Sequence, residues 1–185
     1  ITQTVAGVKQ LTSIEGKFKG VRQGTGVGDN RYSTHSRTTI TTSSKIIVMA
    51  AAEVWFLRAE AALRGFTSED VESCYKQGVT TSFAQWDASG VSEYLESENT
   101  PADYVDTFDK NFDAKATTSI TPKWDNTADN ETKLERIITQ KWLAIYPEGC
   151  EAWAEQRRTG YPKLFKVVVN NSSNAISTDD MIRRV

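Results

Sequence analysis

The stretch Ala50 to Phe66, AAAEVWFLRAEAALRGF, decides the fold class. Ala, Leu, Glu and Arg are strong helix formers and Gly65 supplies a stop, so the composition predicts a helix from about Met49 to Arg64. Val54, Leu57 and Ala61 fall on one side of it and Trp55, Ala59 and Ala62 on another, the pattern of a helix gripped from two sides. Thr67 follows as a hydroxyl cap candidate, with Glu69 and Asp70 to complement the helix dipole. A second helix is expected from about Glu69 to Trp86, because Val71, Tyr75, Val79 and Phe83 repeat every four residues. Two helices joined by so short a turn make a helical hairpin.

The hairpin also fits the tetratricopeptide pattern: Trp55 takes the opening tryptophan, Ala59 the small position four later, Tyr75 the second-helix aromatic and Gly78 its small partner. The closing Pro is absent and no second copy follows at that period, so an ordinary helical hairpin stays open as the alternative.

Downstream, Val91 to Glu98 predicts a short helix, and Tyr104, Phe108 and Phe112 predict another over Ala102 to Ala114. Thr117 to Asn130 is a polar loop around Pro122 and Trp124. Thr132 and Glu135 have capping-box spacing, and Leu134, Ile137, Ile138, Trp142 and Ile145 give one apolar face to a helix that ends at Pro147. A shorter helix from about Gly149 to Arg158 ends at Gly160. Val167 to Val169 is a candidate strand. Upstream, Ile14 to Arg22 alternates weakly, and nine of the twelve residues from Ser33 to Ser44 are Ser or Thr, which marks a loop. The expected fold is mainly α, a tetratricopeptide-like scaffold with long irregular loops, organised as one segment: 1–45 loop-rich, 46–165 helical, 166–185 a tail.

Composition narrows the function. The 185 residues carry 22 Lys plus Arg against 24 Asp plus Glu, a net charge of −2, which leaves no electrostatic footprint for nucleic acid. The longest apolar run, Ile46 to Ala52, is far too short to cross a bilayer. A single histidine, His35, excludes every multi-histidine metal site, and Cys74 and Cys150 are too far apart in sequence for a redox pair or a zinc knuckle. Both are expected as buried thiols, and no metal or cofactor is expected. Gly24, Gly26 and Gly28 lack the third glycine of a dinucleotide loop, where Asp29 stands. Asp125, Asn126, Asp129 and Asn130 lack the Gly and Glu of a calcium loop. Glu148, Glu151 and Glu155 share a helical face and offer a carboxylate pair for a glycosidase, although such a face is usually solvated or paired with Arg.

Aromatics on helical stripes, namely Tyr75, Phe83, Phe108, Trp142 and Trp153, are expected in the core. Tyr32, Trp124 and Trp86 instead fall in or beside loops rich in hydrogen-bonding groups, with Asp29 and Arg31 next to Tyr32. An apolar plate among such groups suits a sugar, whose faces are CH-rich and whose rim is hydroxyl. The alternative is that each loop tryptophan pins its loop to the scaffold.

Three segments resemble the SusD/RagB family of Bacteroidetes outer-membrane lipoproteins: Phe18 to Gly24 (FKGVRQG), Ala51 to Gly65 (AAEVWFLRAEAALRG) and above all Glu135 to Pro162 (ERIITQKWLAIYPEGCEAWAEQRRTGYP). The closing MIRRV resembles a family segment that normally continues further. The resemblance implies the C-terminal part of a member, a helical-pair scaffold, and a non-catalytic cell-surface lipoprotein that captures oligosaccharide, or peptide in some members. Its implied partner is a SusC-like TonB-dependent outer-membrane transporter, and the lipid anchor would lie outside this segment. Ala50 stands where relatives often have a capping Thr, and much of the usual ligand surface would come from sequence N-terminal to this piece. The rival readings are a helical-repeat protein adaptor and the glycosidase.

Overall fold

The computed structural model describes residues 2–5, 8–11, 19–24, 32, 35–36, 41–44 and 46–169. Among these, β1 (Thr2–Val5) and β2 (Val8–Leu11) form an antiparallel pair with Thr2 opposite Leu11 and Val5 opposite Val8. Five α-helices follow: α1 (Ala51–Leu63), α2 (Val71–Gln85), α3 (Val91–Leu95), α4 (Asn130–Ala144) and α5 (Gly149–Thr159). The chain divides into two compact units, a helical one of Ile46–Pro101 with Thr117–Leu164, and a loop-rich one of Ile1–Lys45, Ala102–Ala116 and Phe165–Val185.

In the helical unit, α1 and α2 make the expected hairpin. Arg58 pairs with Glu69 while Phe56 meets Gly78 and Tyr75, so partners recede along one helix as they advance along the other, and the helices run antiparallel. Gly65 ends α1 at φ 76°, with its N–H on the Ala62 carbonyl and the Phe66 N–H on that of Ala61. That left-handed turn strains any residue with a Cβ. The face α1 buries is Ala52, Phe56, Ala59 and Glu60, and Val54 and Leu57 remain exposed. Helix α1 is therefore gripped along a line centred on Phe56, a residue in neither of the two predicted stripes. Its N-cap, Ala50, makes no side-chain bond.

Two capping assignments change. Asp70, three residues past Thr67, accepts the Ser73 N–H at 2.8 Å and caps α2. Asp129 accepts the Thr132 N–H at 2.7 Å, so α4 starts before Thr132 and Glu135 turns inward. The core gathers Phe56, Tyr75, Val79, Ile137 and Ile138 with Cys74 and Trp124. Trp153 and Cys150 lie exposed on α5, against expectation, because the residues α5 buries are Glu155 and Gln156.

In the loop-rich unit the predicted helix over Ala102 to Ala114 is absent. Tyr104 and Ala114 exchange backbone hydrogen bonds of 2.8 and 2.9 Å, and only Lys110–Phe112 makes a 3-10 turn. The cause is local: the Asp106 carboxylate accepts the Phe108 and Asp109 N–H groups, while Asp113 accepts the N–H of Asp106. Aspartates that capture nearby backbone donors compete with the helical ladder. Arg22 donates to the carbonyls of Phe112, Asp113 and Lys166, tying three segments together. Residues Val167 to Val169 form no strand, although the Val169 N–H reaches the Gly24 carbonyl at 2.7 Å. Of the weak strand pattern at Ile14 to Arg22, residues 19–22 carry no regular structure and the remainder lies outside the described residues.

A Cβ on Gly78 would fall 2.8 Å from Phe56 Cε1 and Cζ, and that ring is fully buried. Gly78→Ala should therefore destabilise the protein in denaturant titration by about 1 kcal/mol, since overpacking of about 1–3 kcal/mol outweighs the ~1 kcal/mol that Ala gains in helix propensity.

Candidate functional site

Each predicted site residue has its own fate. Trp124 is 7% exposed, its ring 5.0 Å from Tyr75 and its Nε1–H on Asn126 Oδ1 at 2.9 Å. Asn126 in turn donates to Glu72 at 2.7 Å, and the Tyr75 hydroxyl donates to the Pro122 carbonyl at 2.6 Å. The polar loop is thus nailed to α2, and Trp124 is core rather than a surface plate. Position outside an apolar period does not determine burial when a neighbouring helix offers a slot.

Tyr32, in the loop-rich unit, is half-buried; its hydroxyl donates to Asp106 and its ring meets His35 and Phe108 edge-on. Asp29 and Arg31 lie outside the described residues.

Trp86 is the candidate that presents an open ring, 48% exposed at the C-cap of α2. Asp87 adopts φ 51° and turns the chain, with its N–H on the Ala84 carbonyl and the Ala88 N–H on that of Phe83. This closure fixes where the Trp86 ring emerges. Tyr146, in the link that follows α4 and 45% exposed, lies 6.3 Å from it centroid to centroid, tilted by 48°. Sequence reading missed Tyr146, although its place one step past the apolar face that ends at Ile145 was a signal. The two rings form a tilted, solvent-facing aromatic pair with phenol and indole hydrogen-bonding edges, the chemistry that holds a sugar face.

A network of ion pairs joins α1, α4 and α5. Lys141 of α4 is 1% exposed, and its Nζ lies 2.8 Å from Glu155, 3.1 Å from Glu151 and 3.5 Å from Glu53. Arg158 joins Glu155 at 2.7 Å and grips Glu60 of α1 through two bonds of 2.6 Å. Burial by itself would lower the Lys141 pKa, but hydrogen bonds to Glu155 and Glu151 overcome it and hold it above the ordinary lysine value. Burial would raise Glu60, yet bonds from Arg158 and Arg64 keep its carboxyl below the usual range. Burial does push the Glu53 carboxyl up, against the pull of Lys141. Glu151 and Glu155, two of the three carboxylates of the glycosidase reading, are therefore spent on Lys141 in a structural ion network.

Glu135 and Arg136 hold the adjoining loops: Glu135 accepts from Thr118 and from Lys163 at 2.9 Å, and Arg136 donates to the Thr121 carbonyl at 3.0 Å. Among the described residues no group of His, Cys, Asp and Glu has a metal-holding arrangement, and no helix is long and apolar enough to cross a membrane.

The helical unit is a mainly α scaffold with pinned loops, and it carries an exposed aromatic pair. Residues 4–185 match the family described as SusD-like, SusD and RagB outer membrane lipoprotein. A SusD homologue from Bacteroides vulgatus is 51% identical, with a TM-score of 0.76 over 85% of this chain and 33% of its own. A chitin-binding SusD homologue from Flavobacterium johnsoniae is 47% identical, with a TM-score of 0.69 over 72% of this chain and 28% of its own. A SusD homologue from Bacteroides thetaiotaomicron is 39% identical and reaches a TM-score of 0.82 over 90% of this chain and 36% of its own. Against curated protein sequences the chain has no match. The chain belongs to the SusD-like family, and it spans about a third of the length of these relatives.

Lys141→Met should cost about 3–5 kcal/mol at neutral pH, the usual penalty for stranding buried charge. The deficit measured by denaturant unfolding should shrink as pH falls toward the carboxylate range, because the orphaned Glu53 carboxyl, which burial already pushes up, can then take up a proton.

Proposed function

We propose that this chain is a non-catalytic glycan-binding part of a cell-surface nutrient-uptake complex in the outer membrane, delivering oligosaccharide to a SusC-like TonB-dependent transporter. The observation that carries the reading is the exposed Trp86–Tyr146 pair in a chain of this family. Family membership and the 47% identity to a chitin-binding homologue favour a saccharide over a peptide ligand. Commitment of Glu151 and Glu155 to Lys141 argues against hydrolysis, since a general acid or base needs a carboxyl free to exchange its proton with substrate. The adaptor reading retains one supporting feature, the exposed Val54 and Leu57 on α1.

A glycan array followed by calorimetry separates these readings. Trp86→Ala or Tyr146→Ala should weaken the best-bound oligosaccharide roughly thirtyfold, about 2 kcal/mol, and leave the melting temperature nearly unchanged. Trp124→Ala should instead lower the melting temperature, as loss of about 3–5 kcal/mol of core packing requires. Full affinity in the Trp86 and Tyr146 variants, or no saccharide bound by the parent chain, would count against the pair as a sugar platform.

A further inference from the structure

We propose that, given the reading of Trp86 and Tyr146 as a sugar platform, the site selects uncharged saccharides and turns away acidic ones such as uronates and sulfated sugars. Asp87 and Glu148 are the residues that set this preference. Both rings emerge where the helical unit is negative. Trp86 is the C-cap of α2, and Tyr146 directly follows Ile145, the C-cap of α4, so each stands at the carbonyl end of a helix. Such ends carry partial negative charge, which a cation in the last turn commonly offsets. Helix α2 has no basic residue in its last turn. The one in α4 is Lys141, which is 1% exposed and held by Glu53, Glu151 and Glu155.

The chain on either side of the rings adds to that sign. Residues 82–90 and 143–149 include Asp87 and Glu148 and no Lys or Arg. Asp87 is exposed and adjoins Trp86, while Glu148 is half-buried and two positions past Tyr146. Consecutive Cα atoms are about 3.8 Å apart, so both acids spring from backbone within about 8 Å of that of a ring. Among the described residues neither carboxylate has a hydrogen bond or an ion pair. Helix α5 also begins here, at Gly149, and its N-terminus would favour an anion. Glu148 at its N-cap and Glu151 in its first turn already supply that charge.

An uncharged sugar lays its CH face on the rings and turns hydroxyls to the indole N–H and the phenol, and this field hardly affects it. A carboxylate or sulfate brought to the same rings meets like charge, and neither flanking stretch offers a Lys or Arg to pair it. Two like charges about 8 Å apart in water weaken binding by roughly a factor of two. Asp87 and Glu148 acting together should therefore disfavour an acidic sugar roughly fivefold at low salt. Because the site is open to solvent, dissolved ions should erase most of that difference.

The test is calorimetry of the intact chain with hexamers of β-1,4-glucose, α-1,4-glucose and β-1,4-N-acetylglucosamine, each uncharged and each oxidised at C6 to the uronate. At about 20 mM salt the uncharged form of a bound hexamer should bind roughly fivefold more tightly than its uronate, and at about 0.5 M salt the ratio should fall toward one. Asp87→Asn combined with Glu148→Gln should lower the low-salt ratio in the same way. Both changes remove charge without backbone strain, since Asn tolerates the φ of 51° at position 87 and the Glu148 side chain makes no cap bond. Equal or tighter binding of the uronate by the parent chain at low salt would overturn the proposal. So would a preference that survives undiminished in the double variant or at high salt. Should the double variant fail to fold, the salt dependence in the parent chain still decides the matter. A different pattern marks failure of the platform reading, on which the proposal stands: no hexamer bound in either form, or binding that Trp86→Ala leaves intact.

Discussion

The ammonium of Lys141 lies inside the helical unit, and three carboxylates from two other helices converge on it. A buried charge is costly unless it is paired and hydrogen-bonded, so α1, α4 and α5 can meet here only in the arrangement that brings Glu53, Glu151 and Glu155 to one point. This constraint matters most for α5, which buries Glu155 and Gln156 and no apolar side chain. Hydrophobic burial is non-directional and would let such a helix slide or roll. The ion network, extended through Arg158 to Glu60, fixes its rotation and its distance from α1. The short link between α4 and α5 is held from both ends as a result, and Tyr146, which lies in it, is presented beside Trp86.

A similar economy governs the loops. Polar side chains buried on the helices fasten segments that have no periodicity of their own: Glu135 takes Thr118 and Lys163, Arg136 takes the Thr121 carbonyl, and Tyr75 takes that of Pro122. Trp124 then fills the space beneath, its ring against Tyr75. In the loop-rich unit Arg22 and Asp106 do the corresponding work with carbonyls and N–H groups in place of apolar surface. The segments that resemble the family, Phe18 to Gly24 and Glu135 to Pro162, contain Arg22, Glu135, Arg136, Lys141, Glu155 and Arg158. Their specificity thus has a physical reading, since these positions demand a particular charge and hydrogen-bonding geometry where an apolar core position accepts several residues of similar volume.

Helices α1, α2, α4 and α5 were legible in the amino-acid sequence because propensity, apolar periodicity and a Gly or Pro stop act over a few residues and agree with one another. The false helix over Ala102 to Ala114 failed for an equally local reason: Tyr104, Phe108 and Phe112 gave the period, but Asp106, Asp109 and Asp113 took the backbone donors. The displaced caps at Asp70 and Asp129 show the same side-chain competition at a smaller scale.

The sequence by itself determined the helical class, the hairpin and the family, because each rests on short-range chemistry or on residue identities read in order. Which aromatic is core and which is surface was decided only by tertiary structure. Trp124 and Trp86 both stand outside the apolar stripes, yet one is sealed beneath a loop by Tyr75 and the other emerges from a helix cap toward Tyr146. That difference depends on partners 49 and 60 positions away in sequence. Burial is a property of the assembled packing, in which distant side chains either close over a ring or leave it to solvent, and no local pattern encodes it.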